Sequence, residues 1–308
     1  MSTAISLTRW LPWVNPLSAW TMEKELLTDQ ARAKMQGKTF VRLSAGVTHY
    51  ELDGPEDGEV VVFIHGLTAP SFVWDYQFRT FAKAGFRVLR YDLFGRGLSD
   101  RPRAKYTADF LDQQLVELLD ALGITKPVHL VTLSMGASIV MNFIDRHPER
   151  VQRFALFGPA GFPVHVPFKY KLVQSPIIGD ILFKITGNTI FRKSLNRQPI
   201  RDLRRKQELK TRFLEQMRFK GFKRCVLSTL RHNPVLNLHN VYQRVGRHGH
   251  KGILFWGASD HVTPFEHHRF VQNAIPHIIF HPFKDEGHTL NYERPELVNP
   301  LLLDFLQA

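Results

Sequence analysis

The sequence predicts an α/β protein: a mostly parallel central sheet with helices on both faces, interrupted by a helical insertion. Three observations carry this. Short apolar runs alternate along the chain with segments long enough for a helix, which is the rhythm of a parallel sheet covered on both sides. At 308 residues, 44% of them hydrophobic, the chain can bury the core of one large domain with an insertion, or equally of two small domains. One interval, from Phe162 to about Leu230, holds no buried strand and so breaks the rhythm. The expected organisation is an N-terminal arm over 1–38, a core over 39–161 and 231–308, and a helical cap over 162–230.

In chain order, Thr39 to Leu52 contains two alternating runs around Gly46, the pattern of an antiparallel hairpin, and Asp53-Gly-Pro-Glu-Asp-Gly supplies the following turn. The apolar runs Val60–Ile64, Arg87–Tyr91, Val128–Val131, Phe154–Phe157, Ile253–Trp256 and Ile278–Phe280 read as strands. Ala108–Leu122 and Ser134–Arg146 read as helices between them. The insertion contains Pro- and Gly-punctuated apolar pieces from Val166 to Leu182, then a basic helical stretch from Arg201 to Arg218. Leaving the sheet after one strand and returning before the next, it is expected to sit over the strand ends, where sites of such sheets gather.

The stretch His129–Asn142, HLVTLSMGASIVMN, passes abruptly from strand residues to a helical period at Ser134. A serine at such a turn is held in a strained conformation with its hydroxyl exposed above the sheet, and small flanking residues let helix and strand pass closely. The pattern for this turn is G-x-S-x-G. Here it reads Thr132-Leu133-Ser134-Met135-Gly136, with one glycine replaced, so on its own it leaves nucleophile and ordinary serine both open.

A nucleophilic serine needs a base, an acid to orient that base, and donors for an oxyanion. His288, in Asp285-Glu-Gly-His-Thr, follows the last strand, and Asp260, in Gly257-Ala-Ser-Asp-His-Val-Thr-Pro, follows the strand before it. The chain order Ser134, Asp260, His288 is that of a triad on this kind of sheet. His65-Gly66-Leu67 closes the Val60–Ile64 run, and the Leu67 and Met135 amides are the candidate oxyanion donors, with His65 and Gly66 supporting the loop. Asp285 and Glu286 lie too near His288 in sequence to hold the far side of its ring, which leaves Asp260 as the acid. His248, His250, His261, His267 and His268 lack paired carboxylates or a ligand motif and read as surface histidines; no metal or cofactor is expected.

Together these residues resemble the α/β-hydrolase family, from about Thr39 to the C-terminus, closely in the core and loosely in the cap. Tyr91-Asp-Leu-Phe-Gly-Arg-Gly-Leu-Ser-Asp and the Glu293-Arg-Pro-Glu segment add to the resemblance. It implies acyl transfer: attack on a carbonyl, an acyl-enzyme, and hydrolysis by water. A serine at 134 argues against the relatives that use a carboxylate nucleophile, the haloalkane dehalogenases and epoxide hydrolases. Hydrolases that split carbon–carbon bonds in ring-cleavage products also use serine, but usually with Gly-Asn-Ser-Met-Gly at the elbow and a Ser-Gly-rich oxyanion loop. Leu133 and Leu67-Thr68-Ala69-Pro70 depart from that pattern, which favours an esterase or lipase acting on a small ester or lipid-like substrate. Phe162, Val164, Val166, Phe168, Leu182 and Phe183 would either line an acyl pocket or pack cap on core. A non-catalytic ligand-binding protein is the reading from another class; the complete set Ser134, Asp260, His288 speaks against it.

Composition narrows the partners. Of the net charge of +13, most lies between Arg192 and Arg224, which holds 13 Lys or Arg against three acids. No nucleic-acid motif accompanies the charge, so no nucleic acid is expected. The remaining readings are a solvated cap face, binding of an anionic ligand, or peripheral contact with an anionic membrane, in which Arg201, Arg204, Arg205, Lys206, Lys210, Arg212 and Arg218 would flank a stripe of Leu203, Leu209, Phe213, Leu214 and Met217. The N-terminal ISLTRWLPWVNPLSAW reads as a packed arm or an interfacial anchor; it lacks the cleavage site of a signal peptide. No apolar run approaches the roughly 20 residues of a bilayer span. The single Cys225 excludes an intramolecular disulfide and suits a reducing, cytoplasmic compartment. The oligomeric state is not legible.

Overall fold

The computed structural model describes residues 23–163, 175–197, 200–233 and 235–308. The Trp-rich N-terminal run and the cap positions Val164, Val166 and Phe168 lie outside the described residues. A short helix, α1 (Asp29–Ala33), precedes the antiparallel hairpin β1 (Thr39–Leu43) and β2 (Gly46–Asp53). There follow β3 (Val60–Ile64), α2 (Asp75–Lys83), β4 (Arg87–Tyr91), α3 (Ala108–Ala121), β5 (Val128–Leu133), α4 (Gly136–Arg146) and β6 (Val151–Phe157). Among the described residues four helices come next: α5 (Ile178–Arg197), α6 (Leu203–Gln216), α7 (Phe222–His232) and α8 (His239–His248). The chain closes with β7 (Lys251–Gly257), α9 (His268–Ala274), β8 (Ile279–Phe283), α10 (Leu290–Glu293) and α11 (Pro295–Gln307).

The eight strands form one sheet in the order β1-β2-β4-β3-β5-β6-β7-β8. β2 meets β4 antiparallel, and every pairing from β4 to β8 is parallel. Alternation along β3 divides the core into two layers. Val62 and Ile64 face the cluster that holds Leu111 and Leu115 of α3 with Ile139 and Phe143 of α4. Val61 and Phe63 face Phe78 and Phe81 of α2 with Val298 and Leu302 of α11. Both faces of the sheet are therefore apolar, which is why its strands read as continuous hydrophobic runs.

The insertion extends the second layer. Phe183 and Phe191 of α5 pack edge to face, with ring centroids 5.6 Å apart, and Phe191 reaches Phe222 of α7 at 5.3 Å. The opposite face of α5 is also apolar but open: Ile178, Ile181 and Ile185 are 58%, 57% and 71% exposed. On α6 the expected apolar stripe turns inward, with Leu209, Phe213 and Met217 buried and Leu203 left outside. Part of its cationic face is engaged. Arg205, Arg212 and Arg218 reach Glu296, Asp75 and Glu25, and Arg201 donates to the Asp285 carbonyl, because long guanidinium side chains at the insertion's base meet acidic groups and carbonyls.

Asp75 also pairs with Arg90, which bonds Glu51, which in turn meets Lys38 at 2.6 Å. This chain of alternating charges runs from the hairpin to α6. Burial alone would raise the Glu51 carboxyl, but Arg90 and Lys38 outweigh it and hold it at about 2. Residues 23–25 lie against the turn between α6 and α7: the Glu23 amide donates to the Met217 carbonyl at 2.7 Å, and its carboxylate accepts from the Gly221 and Lys223 amides. Among the described residues no helix is long and apolar enough to cross a membrane.

Candidate active site

β5 ends at Leu133 and α4 begins at Gly136, so the chain reverses from strand to helix within two residues. Ser134 takes the left-handed conformation, φ 57°, unusual for a residue with a side chain. Its amide donates to the Phe157 carbonyl at 3.0 Å, and its carbonyl accepts from Ala137 and Ala160 at 3.1 and 3.0 Å. These bonds over-determine the strained turn. The missing glycine is accounted for by the remaining one: a Cβ at Gly136 would lie 2.1 Å from Thr132 Oγ1 and 2.8 Å from the His65 carbonyl. The threonine side chain fills the space that position 136 leaves empty.

Gly66 brings the loop after β3 against the same turn; a Cβ there would meet Ser134 Cβ at 3.3 Å. His65 is fully buried, and burial lowers its imidazole to about 4. Its Nε2 accepts from the Leu93 amide at 3.0 Å, so Nδ1 carries the proton and donates to the Gly66 carbonyl at 2.8 Å. A trans peptide points its N–H opposite to its C=O, so this bond sets the direction of the Leu67 N–H.

Asp260 follows β7 and His288 follows β8. The structure joins them, with His288 Nδ1 2.7 Å from Asp260 Oδ2. The two loops are laced together: the Ser259 amide donates to the Glu286 carbonyl at 2.9 Å. Asp260 Oδ1 accepts from the amides of Val262 and Thr263 at 2.8 and 2.9 Å. Burial pushes this carboxyl up, but the adjacent His288 and the two amides outweigh it and hold the acid below its usual range. Of the competing acids, Glu286 bonds Arg294 at 2.5 Å instead.

Gly158, just past β6, links this pair to the serine turn. A Cβ there would lie 2.9 Å from Asp260 Oδ2 and 3.4 Å from His288 Nδ1, while its neighbour Phe157 accepts the Ser134 amide. Sequence reasoning passed over Gly158 and also Thr263, whose hydroxyl sits 2.8 Å from Asp260 Oδ2, 3.0 Å from the Gly158 carbonyl and 3.2 Å from His288 Nδ1. The signal for Thr263 was its place three residues after Asp260, before a proline. The candidate pocket residues Phe162 and Phe183 are packed, Phe162 stacking on Phe270 at 5.2 Å. Among the described residues no group of three or more His, Cys, Asp or Glu side chains is placed to hold a metal ion.

The likeness to known proteins follows the same outline. A 2-hydroxy-6-oxo-6-phenylhexa-2,4-dienoate hydrolase of Comamonas testosteroni is 29% identical over 292 residues, 91% of this chain and 98% of that one. The carboxylesterase YbfK of Bacillus subtilis is 27% identical over 304 residues, 94% of this chain and 90% of its own. Among solved structures, an enol-lactonase of Burkholderia xenovorans superposes with a TM-score of 0.74 at 20% identity, covering 88% of this chain and all of that one. The model of the alpha/beta hydrolase fold family matches residues 59–295, from the foot of β3 to the start of α11, and so takes in the serine turn, Asp260 and His288 alike. By that match the chain belongs to the alpha/beta hydrolase fold family.

Proposed function

We propose that the protein hydrolyses carboxylic esters through an acyl-enzyme on Ser134, with His288 as base and Asp260 as its orienting acid. The observation that carries this reading is the 2.7 Å contact of His288 Nδ1 with a buried carboxylate kept ionised at neutral pH. An ionised Asp260 holds the proton on Nδ1, which leaves the Nε2 lone pair to take the Ser134 proton. Oγ then bonds the ester carbon, and the carbonyl electrons move to oxygen, where the Leu67 and Met135 amides receive the charge. His288 passes its proton to the leaving alcohol, and water repeats the sequence to release the acid. Thr263 keeps acid and base aligned. No cofactor enters any step.

Among its relatives are both carboxylesterases and hydrolases of carbon–carbon bonds. The second reading, cleavage of ring-cleavage diketones, draws on the first relatives named above. Leu133 at the elbow and Leu67-Thr68-Ala69-Pro70 after Gly66 favour the ester reading. A fluorophosphonate probe is expected to label one serine, and Ser134→Ala to abolish the label while the protein stays folded. A panel of p-nitrophenyl esters, set beside a vinylogous diketone, decides between the two: ester turnover with a chain-length optimum supports the first, and efficient diketone cleavage with feeble ester turnover replaces it. Persistent labelling of Ser134→Ala removes the nucleophile assignment altogether.

The expected membrane contact is proposed on a different element from the basic helix. The open isoleucine face of α5, flanked by Lys184 and Lys193, gives an apolar surface with cationic edges, the combination that suits an anionic bilayer. A substrate drawn from a lipid surface fits that placement.

A further inference from the structure

Three successive carbonyls of the loop after β3 are each held by a side chain. His65 holds that of Gly66. Arg96 Nε donates to the Leu67 carbonyl at 2.8 Å, and Gln216 Nε2 donates to the Thr68 carbonyl at 2.5 Å. The last two holds come from the insertion or lean on it. Gln216 is the final residue of α6 and is buried, and its Oε1 accepts from the Gly97 amide at 3.1 Å, so both ends of its amide are used between two loops. Arg96 is fully buried and also donates to Thr229 Oγ1 on α7 at 2.8 Å. Thr229 Oγ1 passes its own hydrogen to the Cys225 carbonyl at 2.9 Å, which leaves its lone pairs turned to the guanidinium.

These bonds constrain the peptide planes in sequence. Fixing the Leu67 carbonyl fixes the Leu67–Thr68 plane, and fixing the Thr68 carbonyl fixes the next one. With His65 setting the plane before them, Leu67 is locked from both sides, and its N–H cannot change direction unless one of these bonds breaks. Burial makes breaking costly, because an amide or guanidinium stripped of partners in the interior has no water to replace them.

We infer that Gln216 and the Arg96–Thr229 pair are positioning residues through which helices α6 and α7 of the insertion preset the Leu67 amide for the developing oxyanion. The insertion then governs the chemical step as well as access to it. This rests on the acyl-transfer reading, in which the Leu67 amide receives negative charge.

The test separates chemistry from binding. Gln216→Met removes both of its bonds, and Thr229→Val removes the acceptor for Arg96 while keeping shape. Each variant is expected to lower kcat for p-nitrophenyl butyrate by about tenfold, a fraction of what losing an oxyanion donor outright costs. KM should stay within about twofold, the signature of an interaction felt only in the transition state. Affinity for an alkyl trifluoromethyl ketone, which Ser134 would convert to a tetrahedral adduct, should fall in proportion to kcat. A raised KM with unchanged kcat, or a fall in kcat without loss of ketone affinity, overturns the inference. If Gln216→Met does not fold, Gln216→Glu, which keeps the acceptor for the Gly97 amide, carries the same expectation. Wild-type protein that forms no ketone adduct removes the acyl-transfer reading and this inference with it; wild-type adduct with unaltered variants removes the inference alone.

Discussion

Replacing Gly136 by alanine puts a methyl group where Thr132 already stands. The new Cβ would lie 2.1 Å from Thr132 Oγ1, 2.8 Å from the His65 carbonyl and 3.1 Å from the Ile64 carbonyl. The first contact is with a side chain, the others with backbone at the end of a fully buried strand. Forcing such contacts costs about 1–3 kcal/mol, offset by the roughly 0.5–1 kcal/mol that alanine gains over glycine in a helix. Taken at mid-range, the net loss of about 1–2 kcal/mol should lower the melting temperature by about 1.5–3 °C in a domain of this size. Displacing the His65 carbonyl also moves the Gly66–Leu67 peptide, so kcat should fall by more than about tenfold. Thr132→Ala supplies the control. Thr132 Oγ1 is buried with no hydrogen-bond partner among the described residues, so losing the hydroxyl costs little and Thr132→Ala should lose only about 1 kcal/mol for its buried methyl. In Thr132→Ala/Gly136→Ala the worst contact is gone and the backbone contacts remain, so part of the loss, about 1 kcal/mol, should return as coupling. Thermal melts and fluorophosphonate labelling of the four proteins measure this cycle. Gly136→Ala melting within about 1 °C of wild type, or a double variant that loses the full sum of the two single losses, would refute the shared-space argument.

Three further outcomes are expected. Thr263→Val should lower kcat by about tenfold while Thr263→Ser, which keeps the hydroxyl, stays near wild type, since the hydroxyl supports a charged acid–base pair; a loss in Thr263→Ser with Thr263→Val unaffected would assign the effect to the Thr263 methyl. Glu51, held at about 2, stabilises the fold above the ordinary carboxyl range near 4.5, and this contribution is lost as pH falls through 2. The displacement corresponds to ~3 kcal/mol at most, so Glu51→Gln should be less stable in urea at pH 7 and the gap should close towards pH 2; a gap that persists in acid contradicts the assignment. The protein should co-sediment with phosphatidylserine vesicles at low salt, bind neutral vesicles poorly and release near ~0.5 M salt. Ile181→Ser/Ile185→Ser should abolish the binding and spare turnover of a water-soluble ester, and undiminished binding would move the contact off α5.

How much of this is legible in sequence depends on the range of the interactions. β3 is buried on both faces and reads as an unbroken apolar run, and β5, buried throughout, stays recognisable although His129 and Thr132 interrupt it. β8 reads as Ile278–Phe280 but extends as Ile279–Phe283, because it is an edge strand, where Pro282 is tolerated. β6 starts at Val151, before its apolar run, since Gln152 and Arg153 lie where the strand still meets solvent. Helix α5 gives no clear period because it is apolar on two opposite faces. Asp260 and His288 are recognisable because each follows an apolar strand in a short loop. Thr229 and Gln216 are not: their partners lie 133 and 148 residues away in sequence, and nothing local marks them.

The insertion is keyed to its own core. Arg212 answers Asp75, Gln216 answers Thr68 and Gly97, Thr229 answers Arg96, and Arg224 answers the carbonyls of Arg101 and Pro102. A graft from a relative that lacks these side chains would strand buried donors on the recipient, above all the Arg96 guanidinium. Recombination to change substrate range would therefore have to carry both sides of each lock, exchanging the loops after β3 and β4 together with helices α6 and α7 as one inherited block.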